Sequence, residues 1–273
     1  MSSQSSILPP IGYGTWNRDK PTAYQGVLDA LELGYRHIDT AQAYDNEEAV
    51  GQAISDSSVS RSDIFICTKV DPVNYGPGQV RLSVESSLKK LQTDEVDLLL
   101  LHFPSLHDEY PIEDYVGQFI DVYDSGLCKH IGVSNFTQKY IRQTLMMLDE
   151  RTLATNQVEL HAYMQNKAIA KFCSELDIPI TAYSPLARGA LLDDSVINEI
   201  AAEHQASNSQ IALAFLLNKG YSVIPSSANK QRITDNLAAT KITLSKQELQ
   251  RIEALEQGMR LVDADWCPEW DTY

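Results

Sequence analysis

Seven short apolar runs in this chain each end in a polar or reactive residue. They read Arg36-His37-Ile38-Asp39, Ile64-Phe65-Ile66-Cys67-Thr68-Lys69, Val96-Asp97-Leu98-Leu99-Leu100-Leu101-His102, His130-Ile131-Gly132-Val133-Ser134-Asn135, Thr155-Asn156-Gln157, Ile180-Thr181-Ala182-Tyr183 and Val223-Ile224-Pro225-Ser226. Strands that finish in reactive groups at one end point to a parallel barrel, whose chemistry gathers at its C-terminal rim. Strand, loop and helix follow one another at spacings of roughly 25–40 residues, as a (β/α)₈ barrel requires. Such a barrel typically takes about 250 residues, so a chain of this length accommodates one.

The weakest strand is Pro10-Ile11-Gly12-Tyr13-Gly14-Thr15-Trp16, recognisable mainly from the helix that follows it at about 21–33. That helix spaces Tyr24, Val27, Leu28, Leu31 and Leu33 on one face and stops at Gly34. Further helices are expected at about 46–55, 78–91, 111–125, 137–149, 165–176, 208–219 and 230–239, with Pro111 in the first turn of one. Gly126 and Gly220 read as C′ residues just before strands. An extra helix fits at about 190–206, and Ser245-Lys246-Gln247-Glu248 is a capping box that opens a last helix outside the barrel. No linker or low-complexity segment divides the chain, so residues 1–273 read as one domain. Its aromatic tail, 261–273, carries Trp266 and Trp270, which either pack on the outer helices or fold over the mouth.

Charge excludes several functions. Lysine and arginine number 22 against 37 acidic residues, a formal net charge of −15. Such a surface repels nucleic acid and acidic membranes, and favours a soluble monomer. No apolar run approaches the roughly 18 residues of a membrane helix, and Met1–Ser6 shows no secretory signal. The four cysteines lie far apart, as expected of buried thiols in a cytoplasmic protein. No Asp, Glu, His or Cys set has metal-ligand spacing, so no metal site is expected.

Asp39, Tyr44, Lys69 and His102 converge from neighbouring strands of the expected barrel. A phenol near pKa 10 holds a proton at neutral pH, and a nearby ammonium stabilises the phenolate left when it is given up. Lys69 is placed to do this for Tyr44, Asp39 to hold Lys69 charged and aimed, and His102 to orient a substrate oxygen. Singly, a loop tyrosine is packing and an Asp–Lys pair is structural. Together the four make a site that protonates a carbonyl oxygen as it gains charge.

The stretch Gly34-Tyr35-Arg36-His37-Ile38-Asp39-Thr40-Ala41-Gln42-Ala43-Tyr44-Asp45-Asn46-Glu47 resembles the signature of the aldo-keto reductases. So do Lys69 after its apolar strand, the run from Val96 to Pro104, Ile131-Gly132-Val133-Ser134-Asn135-Phe136, and Asn156-Gln157-Val158-Glu159-Leu160. The motifs run in order from about residue 8 to 240 and look most like short microbial members acting on diketogluconate and methylglyoxal. The resemblance implies a (β/α)₈ barrel that binds NADPH across its mouth without a Rossmann domain, and no G-x-G-x-x-G is present. It makes Tyr44 the general acid of carbonyl reduction, with Asp39 and Lys69 tuning it and His102 orienting the carbonyl. It also implies that Tyr183 stacks on the nicotinamide while Ser134, Asn135 and Gln157 hold the carboxamide. Gly14, Thr15 and Asp39 would approach the cofactor from the first two strands. Ser184 and Leu186 belong to the loop over the pyrophosphate. Ser226, Ser227 and Arg232 would surround the 2′-phosphate and Asn236 the adenine, while Trp16 and Phe103 would line the substrate pocket with Tyr44 and His102.

Two positions depart from the family pattern. Many members carry a lysine where this chain has Ser226, which removes a cation from the 2′-phosphate site and leaves Lys230 and Arg232 nearby. Many have a tryptophan where this chain has Phe103, which predicts a more open pocket. Two other functions compete with reduction: a cofactor-binding regulatory barrel with little turnover, and a lyase using Lys69 as a Schiff base.

Overall fold

The apolar runs become the strands of one eight-stranded, all-parallel sheet, ordered as in the chain. They are β1 (Tyr13–Gly14), β2 (His37–Asp39), β3 (Phe65–Val70), β4 (Val96–Leu101), β5 (Cys128–Ser134), β6 (Leu153–Glu159), β7 (Ile180–Tyr183) and β8 (Ser222–Val223). The computed structural model describes residues 7–272; Met1–Ser6, with the expected lack of a secretory signal, and Tyr273 lie outside them. The sheet closes on itself through a parallel bridge between Ile11 and Val223 and the bonds Gly12 N→Val223 O (2.8 Å) and Gly14 N→Pro225 O (3.0 Å). The two shortest strands meet at this seam. β8 ends where Pro225 has no N–H to offer, and any side chain on Gly14 would run into the Ile224 carbonyl, 2.8 Å from a Cβ there.

Among the described residues ten α-helices accompany the strands: α1 (Lys20–Leu33), α2 (Glu47–Asp56), α3 (Gln79–Leu91), α4 (Ile112–Asp124), α5 (Gln138–Leu145), α6 (Lys167–Glu175), α7 (Ser195–His204), α8 (Asn208–Asn218), α9 (Lys230–Ala238) and α10 (Lys246–Glu253). α7 and α10 stand outside the eightfold repeat and pair with each other through Arg251–Glu199 and His204–Glu248. Gly34 closes α1 at φ 107°, a conformation open to glycine at little cost.

The four consecutive leucines of β4 divide by the strand's two-residue period. Leu98 and Leu100 point into the barrel with Leu8, Cys67 and Ala154, while Leu99 and Leu101 join the larger core beneath the helices. Both faces of the strand are therefore apolar, and no alternation appears in its sequence. Two boundaries differ from the sequence expectation. α5 stops at Leu145 rather than near 149, since Met146 is 78% exposed and the following residues turn back into single-turn bonds. Pro111 is the N-cap of α4, with extended ψ of 141°, not a first-turn residue.

Candidate active site

The C-terminal ends of β2, β3 and β4 bring the four expected catalytic residues together. Lys69 is fully buried, and its Nζ donates to Asp39 Oδ1 (2.6 Å), to the Thr40 carbonyl (2.8 Å) and to Tyr44 Oη (3.3 Å). Tyr44 stands on a single 3₁₀ turn, Gln42–Tyr44, half-buried at the mouth, with its ring 5.5 Å from that of His102. Burial alone would pull the Lys69 ammonium down, yet Asp39, helped by Tyr44 and Cys67, outweighs it and holds the lysine above its ordinary value. Burial pushes the Tyr44 phenol up while Lys69 pulls it down, and the balance leaves it raised, so it keeps its proton at neutral pH. Burial, with Lys69 adding to it, drives His102 well below the usual imidazole range. The histidine is neutral at working pH and offers a ring N–H or a lone pair, not a charge.

A second set of groups is wired into this one. Gln157 Nε2 donates to the other oxygen of Asp39 (2.8 Å), and its backbone carbonyl accepts from Ser134 Oγ (2.9 Å). Asn135, in the left-handed region at φ 60°, donates to Ser134 Oγ and to the His102 carbonyl (3.0 Å each) and accepts from Tyr183 Oη (2.9 Å). An unbroken line of hydrogen bonds thus runs from Tyr183 to Tyr44 around the rim. It fixes the half-exposed Tyr183 ring and leaves spare amide capacity on Gln157.

The seam between β1 and β8 is built differently. Thr15 is buried, its Oγ1 on the Asp39 carbonyl (3.1 Å), and Trp16 is 45% exposed with the Arg188 guanidinium 4.8 Å above its ring. Arg188 follows Ser184 and Leu186 in the β7–α7 loop, where Ser184 (φ 48°), Ala187 (φ 48°) and Arg188 (φ 50°) all take left-handed backbone. Ser227 is buried, and its Oγ accepts the Asn229 N–H (3.1 Å). Arg232 is exposed on α9 without a carboxylate partner among the described residues, and Asn236 is buried on the same helix. Lys230, which the sequence left available to a phosphate, is instead committed to Asp29 (3.4 Å) and Glu32 (2.6 Å).

The profile of the aldo/keto reductase family matches residues 10–257. The chain is an aldo/keto reductase. It is 41% identical over 265 residues to methylglyoxal reductase DkgB of Escherichia coli O157:H7, covering 97% of this chain and 99% of the relative. It is 36% identical over 260 residues to methylglyoxal reductase DkgA of Escherichia coli K12, covering 94% and 92%. The solved aldose reductase of Schistosoma japonicum superimposes with a TM-score of 0.91 at 30% identity, covering 97% and 96% of the two chains. Membership makes this protein an oxidoreductase that acts on carbonyl groups with a nicotinamide cofactor. Among the described residues no helix is long and apolar enough to cross a membrane.

The reductase's tail does both things that the sequence left open: Trp266 packs at the mouth, and Asp271 holds the start of α5. Leu261 N and Val262 N donate to the two oxygens of buried Glu159 (2.7 and 2.9 Å), a carboxylate that also meets His161 (3.1 Å). Beyond that anchor, Trp266 meets Phe103 edge-on at 4.9 Å, and Asp271 accepts the Gln138 N–H at the start of α5 (3.0 Å). The openness expected from Phe103 is therefore countered by an indole brought in from the tail. A crevice of about 500 Å³ lies beside it, between the 104–108 loop, the start of α5 and residues 265–272.

Sequence reasoning missed three participants. Buried Asn46 donates to the carbonyls of Thr15 (2.9 Å) and Arg18 (3.1 Å) and accepts from Thr40 (2.9 Å), tying the β1 loop to the turn that carries Tyr44. Glu159 was visible only as part of a motif, without its role as anchor of the tail. His37, Asp39 and Cys67 bring potential ligand atoms within 4.8 Å of one another, a cluster hidden in linear spacing because it spans two paired strands. Asp39 there is already engaged by Lys69 and Gln157, and an ammonium 2.6 Å away opposes a second cation.

Proposed function

We propose that this aldo/keto reductase uses NADPH to reduce small carbonyl compounds to alcohols, with Tyr44 as general acid. Suitable substrates are aldehydes, α-dicarbonyls such as methylglyoxal, keto-sugars and keto esters. The observation that carries the reading is the hydrogen-bonded line Asp39–Lys69–Tyr44, opening at the mouth beside a neutral His102. The cofactor, when bound, supplies the hydride that adds to the carbonyl carbon. His102 orients the carbonyl oxygen through a ring N–H. Tyr44 Oη donates its proton to that oxygen as charge develops, and Lys69, 3.3 Å away, stabilises the phenolate that remains. Asp39 keeps Lys69 charged, which also opposes a Schiff-base role. The surface offered to a dinucleotide supports the same reading: the Tyr183 ring, the Ser134–Asn135–Gln157 amide and hydroxyl groups, and arginines at the seam without carboxylate partners among the described residues.

The names of DkgB and DkgA favour α-dicarbonyls as the first substrates to try. The test is a steady-state screen following NADPH absorbance across aldehydes, α-dicarbonyls, keto-sugars and β-keto esters. Turnover on several is expected; tight NADPH binding with no turnover on any would replace catalysis with a regulatory role. The net charge of −15 supports a soluble monomer, which light scattering at modest salt checks, and four well-separated cysteines support a cytoplasmic location.

A further inference from the structure

Ser226 stands where the family resemblance would place a lysine, yet a cation reaches that place from the other side of the seam. Arg18, in the loop between β1 and α1, donates from Nε to Ser226 Oγ at 3.0 Å, across 208 residues of sequence. Its second anchor is the Asn17 carbonyl, met by Nη1 at 3.2 Å, and its own carbonyl is held by the buried Asn46 amide at 3.1 Å. None of these partners carries charge. Among the described residues no carboxylate pairs with Arg18, whereas the neighbouring cations Lys20 and Lys230 are paired to Asp45 and to Asp29 and Glu32. A half-buried guanidinium held by neutral partners, with Nη2 making no hydrogen bond among the described residues, keeps both charge and donor capacity for an anion.

We infer that Arg18 is a cofactor-specificity residue, which with Ser226 forms the seat of the adenosine 2′-phosphate in place of the strand-eight lysine. The inference rests on the cofactor reading above. Arg18 provides a planar fork with several donors, and Ser226 supports that fork while keeping its own hydroxyl available to a phosphate oxygen. Asn46 extends the consequence: by holding the Arg18 and Thr15 carbonyls it links the 2′-phosphate seat to the turn that carries Tyr44.

The experiment is equilibrium binding, free of turnover. Titration calorimetry with 2′,5′-ADP, 5′-AMP, NADP+ and NAD+ is run on wild type, Arg18→Ala, Arg18→Lys and the double variant Arg18→Ala with Ser226→Lys, all checked for unchanged melting temperature. Arg18→Ala is expected to weaken 2′,5′-ADP and NADP+ by about 10- to 100-fold, the range of a hydrogen bond to a charged group, while 5′-AMP and NAD+ change less than about threefold. Arg18→Lys should fall between, and the double variant should recover most of the lost affinity. Unchanged 2′,5′-ADP binding in Arg18→Ala, equal losses for NADP+ and NAD+, or no recovery in the double variant each overturns the assignment. Wild-type protein that binds none of the four nucleotides overturns the cofactor reading instead, so the two failures are distinct.

Discussion

The two sides of the barrel mouth satisfy their polar groups in opposite ways. Around β2, β3 and β4 every charge has found its partner inside the protein: Lys69 meets Asp39, Thr40 and Tyr44, and Asp39 meets Lys69 and Gln157. Around the β1–β8 seam, Arg18, Arg188 and Arg232 have no carboxylate partner among the described residues, and their neighbours are a serine, a tryptophan face and solvent. A proton-transfer site must be held rigid before substrate arrives, because misdirected donors lose the transition state. A site for a charged ligand must instead hold charge in reserve, because a cation already paired within the protein has less to offer a phosphate.

That contrast can be broken at the catalytic side with the largest effects. Tyr44→Phe keeps the ring and removes the transferable proton, so kcat for reduction should fall about 10²- to 10⁴-fold with NADPH affinity unchanged. A variant with near-wild-type kcat would remove Tyr44 from its role as acid. Lys69→Met leaves the buried Asp39 carboxylate without its cation, and should cost about 3–5 kcal/mol of stability by chemical denaturation as well as most activity. If its stability matches wild type, the Lys69–Asp39 pair does not hold the site together.

Beneath the same side, His37 lies fully buried with neither ring nitrogen hydrogen-bonded, and burial lowers its pKa to about 4. The unfolded chain binds that proton near pH 6.5, so the folded state loses stability as pH falls from about 6.5 towards 4, by roughly 3 kcal/mol. His102, lowered in the same direction, adds to the loss. His37→Leu should flatten this slope in denaturation curves measured between pH 4 and 7. A slope as steep as wild type would show that other groups produce it.

Changes at the seam should be smaller and confined to the cofactor. Arg232→Ala is expected to raise KM for NADPH by about tenfold and KM for NADH little, as for a lost hydrogen bond to a charged group. Equal increases would mean that Arg232 does not read the 2′-phosphate. Ser226→Lys should widen the NADPH preference a few-fold, by adding a cation beside Arg18 and Arg232.

Much of this molecule could be read along the chain. Short apolar runs at regular spacing marked the strands and the reactive residues at their ends, and in a parallel barrel those ends share one rim, so Asp39, Tyr44, Lys69 and His102 could be grouped from the sequence. Their grouping needed only local pattern and a topology with few alternatives. β1 was faint because two residues of strand carry no pattern, and only closure of the barrel pairs its edge with β8. Closure also decided what no local pattern encodes: that Arg18 meets Ser226 across the seam, that Gln157 reaches Asp39 from the opposite wall, and that Lys230 is consumed by Asp29 and Glu32. The tail shows the same division. Its aromatics were plain in the sequence, but the place of Trp266 against Phe103 follows from two backbone N–H groups finding the buried carboxylate of Glu159, a contact 102 and 103 residues away along the chain. Secondary structure and chemical type are written in neighbouring residues; which distant groups neutralise each other is set by the three-dimensional path that brings them within hydrogen-bonding reach.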